Sequence, residues 1–509
     1  MAVENKLGLL EFHREEIKIL HFTWIAFFIT FYVWFNMAPL ATTMLKTQGW
    51  LTREHIKVLA ICNVALTIPG RIVIGALIDR YGPRIVFSIL MVVMAVPTIT
   101  FAFGTTFIQL LISRLFLSII GAGFVVGIRM TAQWFPPKVI GRAEGFYAGW
   151  GNFGSAAAAM TLPWIALSVF GAYEEGWRYA LAFNGGISFI YGFMYYFLVR
   201  DTPKSGATLK YHFKKAEKAQ PMTVSSYLDL VQYLVWSFPL VGALGILAWR
   251  IGGVVINKGT PEAAPLISPT VITAIYAILA LIYIAHVIKT CQVNLPLLKN
   301  GVPEQFQYHW GSVAALNSTY FANFGAELAV VSMLPMFFQN VFSMEPTTAG
   351  LIAASFAFVN LFARPLGGYI SDHLNSRKLG MLIYMVGIAI GFFLMSQIAA
   401  YDDAGGLKPM FDGMWWIVVA VIITIVCSIF VQGAEGATFA VIPMINKPQT
   451  GQIAGMAGAY GNVGAVCYLV LYSLVDSKTF FYWIAAGAAI SFLFCLFMLR
   501  EPEGAFADE

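Results

Sequence analysis

Two arginines, Arg71 and Arg364, stand inside long apolar runs of this 509-residue chain, and each opens the same frame. A glycine follows four residues on and an aspartate four beyond that: Arg71, Gly75, Asp79 and Arg364, Gly368, Asp372. A lone guanidinium in a membrane interior costs at least about 2.5–3.5 kcal/mol, so each needs a partner or a task. A carboxylate, a backbone carbonyl or a lipid phosphate could supply the partner. Matched positions in two related halves add another reading, because a symmetry axis would aim both forks of N–H donors at one central cavity. There they suit a small planar oxyanion, and arginine keeps its charge when desolvated.

A second stretch is also written twice. Gly141-Arg-Ala-Glu144-Gly145-Phe-Tyr-Ala-Gly149-Trp-Gly151-Asn152-Phe-Gly154 returns as Gly451-Gln-Ile-Ala-Gly455-Met-Ala-Gly-Ala-Tyr-Gly461-Asn462-Val-Gly464. Read as helix, small residues at every fourth position form a column where another backbone can come close. Each glycine costs a helix about 1 kcal/mol relative to alanine, a cost accepted twice. Asn152 and Asn462 offer amide donors that could complete an anion's coordination, with Gly151 and Gly461 letting the backbone approach. Asparagine in a membrane helix equally serves interhelical packing, and duplication does not decide between the two. Gly145, Gly149 and Gly455 read as a moving contact between the halves.

Glu327 and Glu435 fall within apolar spans. A buried carboxyl favours its protonated form, as a proton carrier requires; pairing with Arg71, Arg364 or Arg129 would hold it ionised instead. Asp79 and Asp372 end their spans ahead of basic turns and read as cytoplasmic latches. Glu144 reads as a gate or as a helix N-terminal charge. Arg114 and Arg129 in the fourth span could gate, pair with an acid or snorkel to an interface, the last favoured for Arg129.

The elements that must position these groups are membrane helices. The chain is 59% hydrophobic and 11% charged, with mean hydropathy +0.74, outside the range of soluble domains. About fourteen apolar runs have the roughly twenty residues that cross a bilayer, and they are too long for barrel strands. The first lacks a small-residue cleavage site and is expected to be retained. Lys and Arg concentrate in loops on the side of both termini, which sets those termini in the cytoplasm; the net charge of +5 reports that bias and not a nucleic-acid partner. The expected fold is all-α and polytopic, with two pseudo-symmetric six-helix bundles over 1–200 and 301–509. Residues 201–300 hold a basic linker and an inserted two-helix hairpin, read as peripheral packing or assembly. Five scattered cysteines and seven unpaired histidines give no disulfide framework, zinc motif or haem pair, so the expectation is a non-enzyme without cofactor or metal.

The half-repeat, the Gly-x-x-x-Asp turn and the basic loop resemble the major facilitator superfamily. The duplicated Gly-Asn-x-Gly stretch resembles, more specifically, the nitrate signature of its nitrate/nitrite porter family. The resemblance covers both six-span halves, while the hairpin departs from the usual twelve-span plan. It implies an anion site near mid-membrane, reached by rocking of one bundle against the other, with Arg71 and Arg364 as the substrate-binding arginines. It also implies that Phe124, which precedes Phe135-Pro136 at the end of the fourth span, and Tyr320 and Phe324 of Tyr320-x-x-x-Phe324-Gly325 sandwich the planar anion; Phe31 is a similar candidate. Members run as nitrate/proton symporters or nitrate/nitrite antiporters, and the two glutamates tilt the expectation to symport. The alternative is another small anion, such as a monocarboxylate or organic phosphate. The setting expected is a monomer in a bacterial inner membrane.

Overall fold

The computed structural model describes residues 7–135, 137–202, 221–256, 263–374 and 376–501, without the side chains of 137, 138, 141, 372 and 373. Most of the basic linker therefore lies outside the described residues, as does the side chain of Asp372. The helices are α1 (Glu15–Thr47), α2 (Arg53–Tyr81), α3 (Pro83–Ala102), α4 (Phe107–Trp134), α5 (Pro137–Trp164), α6 (Gly176–Leu198) and α7 (Tyr227–Gly252). They continue as α8 (Pro269–Asn300), α9 (Glu304–Phe342), α10 (Pro346–Ser371), α11 (Arg377–Ser396), α12 (Met414–Ile445), α13 (Lys447–Leu474) and α14 (Ser477–Met498). Among the described residues thirteen have the length and apolarity to cross a bilayer, and α5, at 28 residues, packs among them against α1 and α10. Large apolar side chains cover the outside, Phe197 at 77% and Phe497 at 78% exposure among them. Such a surface belongs in lipid and not in water, and the protein is a multi-pass membrane protein.

Packing repeats across the chain. In the first set α1 lies on α5, α2 on α4 and α3 on α6; in the second α9 lies on α13, α10 on α12 and α11 on α14. Two seams join the sets, α5 with α10 and α2 with α13, so each signature helix meets the arginine-bearing helix of the other set. The symmetry reaches the helix caps. Asp201, just past α6, accepts the Arg84 N–H at 2.8 Å at the start of α3, and Glu501, just past α14, accepts the Arg377 and Lys378 N–H groups at 2.7 and 3.1 Å at the start of α11.

Four helices break at mid-depth, and the breaks set up the site. Pro69 cannot donate to the Ala65 carbonyl, and α2 divides at Leu66 into Arg53–Ala65 and Thr67–Tyr81. At the break the Leu66 N–H donates to Ser118 Oγ at 3.0 Å and Thr67 Oγ1 donates to the Ser118 carbonyl at 2.5 Å, where α4 itself passes through a 3₁₀ turn at Ser118–Ala122. In the second set α10 divides at Val359, and Ser428 and Gln432 of α12 donate to the Phe356 carbonyl, the latter at 2.8 Å. Broken helices survive in a membrane when neighbours satisfy the loosened backbone in this way. Each arginine stands five residues after its break, Leu66 to Arg71 and Val359 to Arg364. Asn323 breaks α9, its side chain accepting the Phe324 N–H at 2.5 Å.

The face carrying Glu15 and the ends of α6 and α14 is here the N-terminal face. At the opposite face the sets are clasped: Lys57 Nζ donates to the carbonyls of Tyr472 and Val475 at 2.8 and 3.1 Å, and Thr42 bonds Gln339. Towards the N-terminal face α2 and α13 diverge, and a methyl added at Gly75, Gly451 or Gly455 would meet nothing within 4 Å.

Candidate functional site

Arg71 and Arg364 converge. The Arg71 guanidinium carbon lies 5.5 Å from the Phe124 ring centroid and 5.6 Å from that of Phe324; for Arg364 both distances are 5.7 Å. Four helices of two sets thus place two cations around one pair of rings, at cation–π distance. Tyr320 and Phe324 stack at 5.0 Å, as expected for residues one turn apart on α9.

The two arginines differ in company. Arg364 Nη1 pairs with Glu435 Oε2 at 2.6 Å and its Nη2 donates to the Tyr320 hydroxyl at 2.8 Å. Arg71 has no carboxylate among the described residues: Nη1 donates to the Gly458 carbonyl at 2.5 Å, while Nε and Nη2, both buried, meet no hydrogen-bond partner there. The sequence reading left pairing of a glutamate with Arg71, Arg364 or Arg129 open; for Glu435 the partner is Arg364. Glu327 Oε1 accepts from Asn360 Nδ2 at 2.5 Å, and its carboxyl faces that of Glu435. Both glutamates are almost wholly buried, so two acids share one arginine.

The signature helices press on this cluster. Gly149 faces the α10 break, where an added methyl would lie 2.8 Å from the Asn360 carbonyl, and Gly145 faces Pro365 at 3.8 Å. A methyl at Gly458 would lie 2.8 Å from Arg71 Nη1. Gly151 and Gly461 stand behind aromatic rings, against Phe27 and against Tyr320 and Phe324 respectively; they make room for the walls. Asn152 is fully buried with neither amide atom partnered among the described residues, and Asn462 Nδ2 shares the Gly458 carbonyl with Arg71 at 3.3 Å while its Oδ1 is unpartnered. Phe31 packs in the first set against Phe27, Trp34 and Phe35. Glu144 is half-buried near the start of α5, and Gly455 borders the open side of α13. Asp79 Oδ1 lies 3.7 Å from Arg129 Nη2, joining the ends of α2 and α4 within one set.

Of the readings left open for Arg114, snorkelling is excluded and no acid pairs with it among the described residues: it is fully buried, donates to Asn36 Oδ1 at 2.9 Å and lies 4.5 Å over the Phe101 ring. Sequence reasoning missed three members of the cluster. Phe439 sits edge-on to Phe124 and Tyr320 at 6.0 and 5.1 Å, Tyr147 stacks on Phe27 at 4.8 Å, and Asn360 holds Glu327. Their spacing was the available signal: Phe439 follows Glu435 by one turn, Asn360 precedes Arg364 by one turn, and Tyr147 lies inside the signature itself. A separate apolar cavity of about 320 Å³, lined by Trp236, Pro239, Phe321, Tyr460 and Phe494, lies between α7 and the second set, away from both arginines.

Two expected outcomes follow from these contacts. Tyr320→Phe removes a hydrogen bond to a charged group, worth about 1.5–3 kcal/mol, so the half-saturating anion concentration should rise roughly 10- to 150-fold in an uptake titration. Gly149→Ala puts a methyl against the Asn360 carbonyl, so the maximal rate should fall while folding, judged by gel filtration in detergent, is kept.

Two repeated six-helix sets closing over a buried cationic, aromatic-walled centre are the build of a membrane carrier. The Major Facilitator Superfamily model matches residues 23–290 and 316–508. The nitrate/nitrite transporter NrtP of Picosynechococcus sp. is 42% identical, over 99% of this chain and 96% of its own. The nitrate/nitrite transporter NrtP of Nostoc punctiforme is 44% identical, over 97% and 94%. Among solved structures, a D-xylose-proton symporter matches with TM-score 0.61 at 16% identity, covering 96% of this chain and 99% of that one, which bears on the fold alone. The chain belongs to the nitrate/nitrite porter family of the Major Facilitator Superfamily.

Proposed function

We propose that the protein carries nitrate and nitrite across the membrane by alternating access, with nitrate entry coupled to a proton. The observation that carries this reading is Arg71, a buried cation with two donor nitrogens that meet no partner among the described residues, beside Arg364 and between two aromatic rings. A planar oxyanion would accept the free edge of that fork and lie against the ring faces. A monocarboxylate offers the same charge, but its alkyl group must also fit between Phe124, Phe324 and Phe439. The site residues act in three ways: Arg71, Arg364 and the two asparagines hold the anion, the aromatics shape it, and Gly145, Gly149 and Gly455 form the sliding seam. Asp79 and Asp372 latch the N-terminal face with Glu144 near the opening.

Proton coupling follows from charge balance. Two carboxylates facing two guanidinium groups would sum to zero. A bound nitrate leaves an excess negative charge in a low-dielectric interior, which is costly, and one proton on the Glu327–Glu435 pair removes it. Anion and proton therefore favour each other's binding, the condition for symport. Nitrate/nitrite exchange is the second reading: the Thermus thermophilus relative named a probable nitrate/nitrite antiporter, NarK1, is 22% identical over 94% of this chain. Residues 1–200 and 301–509 are the moving bundles, with 201–300 as linker and hairpin. The excess of Lys and Arg on the N-terminal face supports a cytoplasmic placement of that face in a bacterial inner membrane, with the protein working as a monomer.

The test is counterflow in proteoliposomes. Uptake of labelled nitrate should saturate, accelerate with nitrate or nitrite trapped inside, and occur without internal anion only when the outside is acidic. Absence of nitrate flux under all these gradients contradicts the reading; flux linear in concentration indicates a channel.

A further inference from the structure

The inserted hairpin, α7 and α8, packs along α13 at three depths. At the N-terminal face Thr223, just before α7, exchanges two hydrogen bonds with Gln449, its N–H donating to Oε1 at 2.8 Å and its carbonyl accepting from Nε2 at 3.1 Å. At mid-depth the Tyr460 hydroxyl donates to the Trp236 carbonyl, and the two rings lie 5.5 Å apart. That carbonyl lies three residues before Pro239, where α7 is loosened. At the opposite face Arg250 Nε donates to Ser473 Oγ at 2.7 Å. The return helix is tied to the same strand of chain: Asn294 of α8, fully buried, accepts the Val224 N–H at 2.9 Å and donates to the Met222 carbonyl at 3.0 Å. A hairpin fixed to one helix at both ends and the middle moves with that helix, and so with the second bundle.

At the opposite face the hairpin also reaches the first bundle. Arg250 Nη2 pairs with Glu54 Oε1 of α2 at 3.0 Å; the Arg250 side chain is 8% exposed and that of Glu54 42%. One turn further along α2, Lys57 donates to the carbonyls of Tyr472 and Val475 at the end of α13. A single arginine thus holds Ser473 of one bundle and Glu54 of the other. The contacts seal the α2–α13 seam on the closed face and leave its other end open at Gly75, Gly451 and Gly455.

We propose that the hairpin is a gate element: Arg250 is a clasp carried by the second bundle that holds Glu54 of the first and must release it whenever the opposite face opens. This rests on the alternating-access reading for its effect on transport, while the clasp itself is a property of the closed face. The pair is shielded from water at Arg250 but open at Glu54, so it biases the equilibrium and does not lock it. Its loss should shift the closed-to-open ratio at that face roughly 2- to 5-fold.

Hydrogen–deuterium exchange on the purified full chain tests the clasp. Arg250→Gln and Glu54→Gln should each speed exchange by roughly 2- to 5-fold in residues 53–57 and 470–476. The swapped pair Arg250→Glu with Glu54→Arg should restore slow exchange. Unchanged exchange in both single variants overturns the proposal, and so does failure of a folded swap to restore it. For transport, Glu54→Cys with Arg250→Cys is bridged by a short bis-maleimide. Counterflow should stop on bridging and continue in either single cysteine variant treated alike; undiminished flux in the bridged protein also overturns the proposal. If unmodified protein carries no nitrate, the transport reading falls while the exchange result still decides the clasp.

Discussion

Arg71→Lys should weaken nitrate uptake roughly 10- to 150-fold, the loss of about 1.5–3 kcal/mol in hydrogen bonding to a charged group. Lysine keeps the positive charge but replaces a rigid fork with one rotating ammonium. In this site the difference is sharp, because Arg71 spends one nitrogen on the Gly458 carbonyl at 2.5 Å and keeps two, Nε and Nη2, without a partner among the described residues. A lysine that reached Gly458 would have little left to offer an anion. Kinetics in proteoliposomes should show the loss as a raised half-saturation concentration, with the variant still inserting and purifying as a single species. Uptake within two-fold of the unmodified protein would remove Arg71 from the site.

The second large effect concerns the acid pair, and its two members should behave differently. Glu435→Gln takes from Arg364 its carboxylate partner at 2.6 Å. Removing one partner of a buried ion pair costs about 3–5 kcal/mol, so the variant should be markedly less heat-stable as well as inactive. Glu327 accepts from Asn360 and makes no ion pair among the described residues. Glu327→Gln should therefore leave a stable protein in which nitrate exchange between the two sides persists while uptake driven by an acidic exterior is lost. Equal acid-driven uptake by Glu327→Gln and the unmodified protein would exclude Glu327 from the proton site, and the same result for Glu435→Gln as well would exclude the pair.

Much of this centre was legible in the sequence because a charge in an apolar run is conspicuous and a charge in two matched runs more so. Arg71 and Arg364 needed only the repeated frame and the cost of burial to be placed around one point. The signature glycines were equally readable, since Gly149 allows the close approach to the Asn360 carbonyl that the small-residue spacing implied. What was not legible depends on contacts between distant residues. Nothing local to Glu435 shows that it meets Arg364 and not Arg71, because that follows from α10 lying on α12. The breaks at Leu66 and Val359 are stabilised from α4 and α12, by Ser118 as acceptor and by Ser428 and Gln432 as donors, and a single span read alone reveals none of these partners. The hairpin looked peripheral because Arg250 has no acid near it in sequence; Glu54 is 196 positions away. Phe439 was one of 42 phenylalanines, marked in the sequence only by standing one turn after Glu435, and its place between Phe124 and Tyr320 comes from the fold.

The site also explains why the two bundles differ where they should match. Arg364 is held by Glu435 and Tyr320, while Arg71 reaches across the seam to the other bundle's signature helix. One arginine is thus fixed within its own bundle, and the other reports the position of its partner bundle. A bound anion touching both would tie the bundles together at mid-depth, so that loading is felt by both at once.

Titration calorimetry of nitrate into the purified protein, and into Arg71→Gln and Arg364→Gln, asks whether two arginines from opposite bundles grip one ion. That grip requires one nitrate bound per chain in the unmodified protein and no measurable binding in either variant. Retention of that single binding event at unchanged affinity in either folded variant would contradict it.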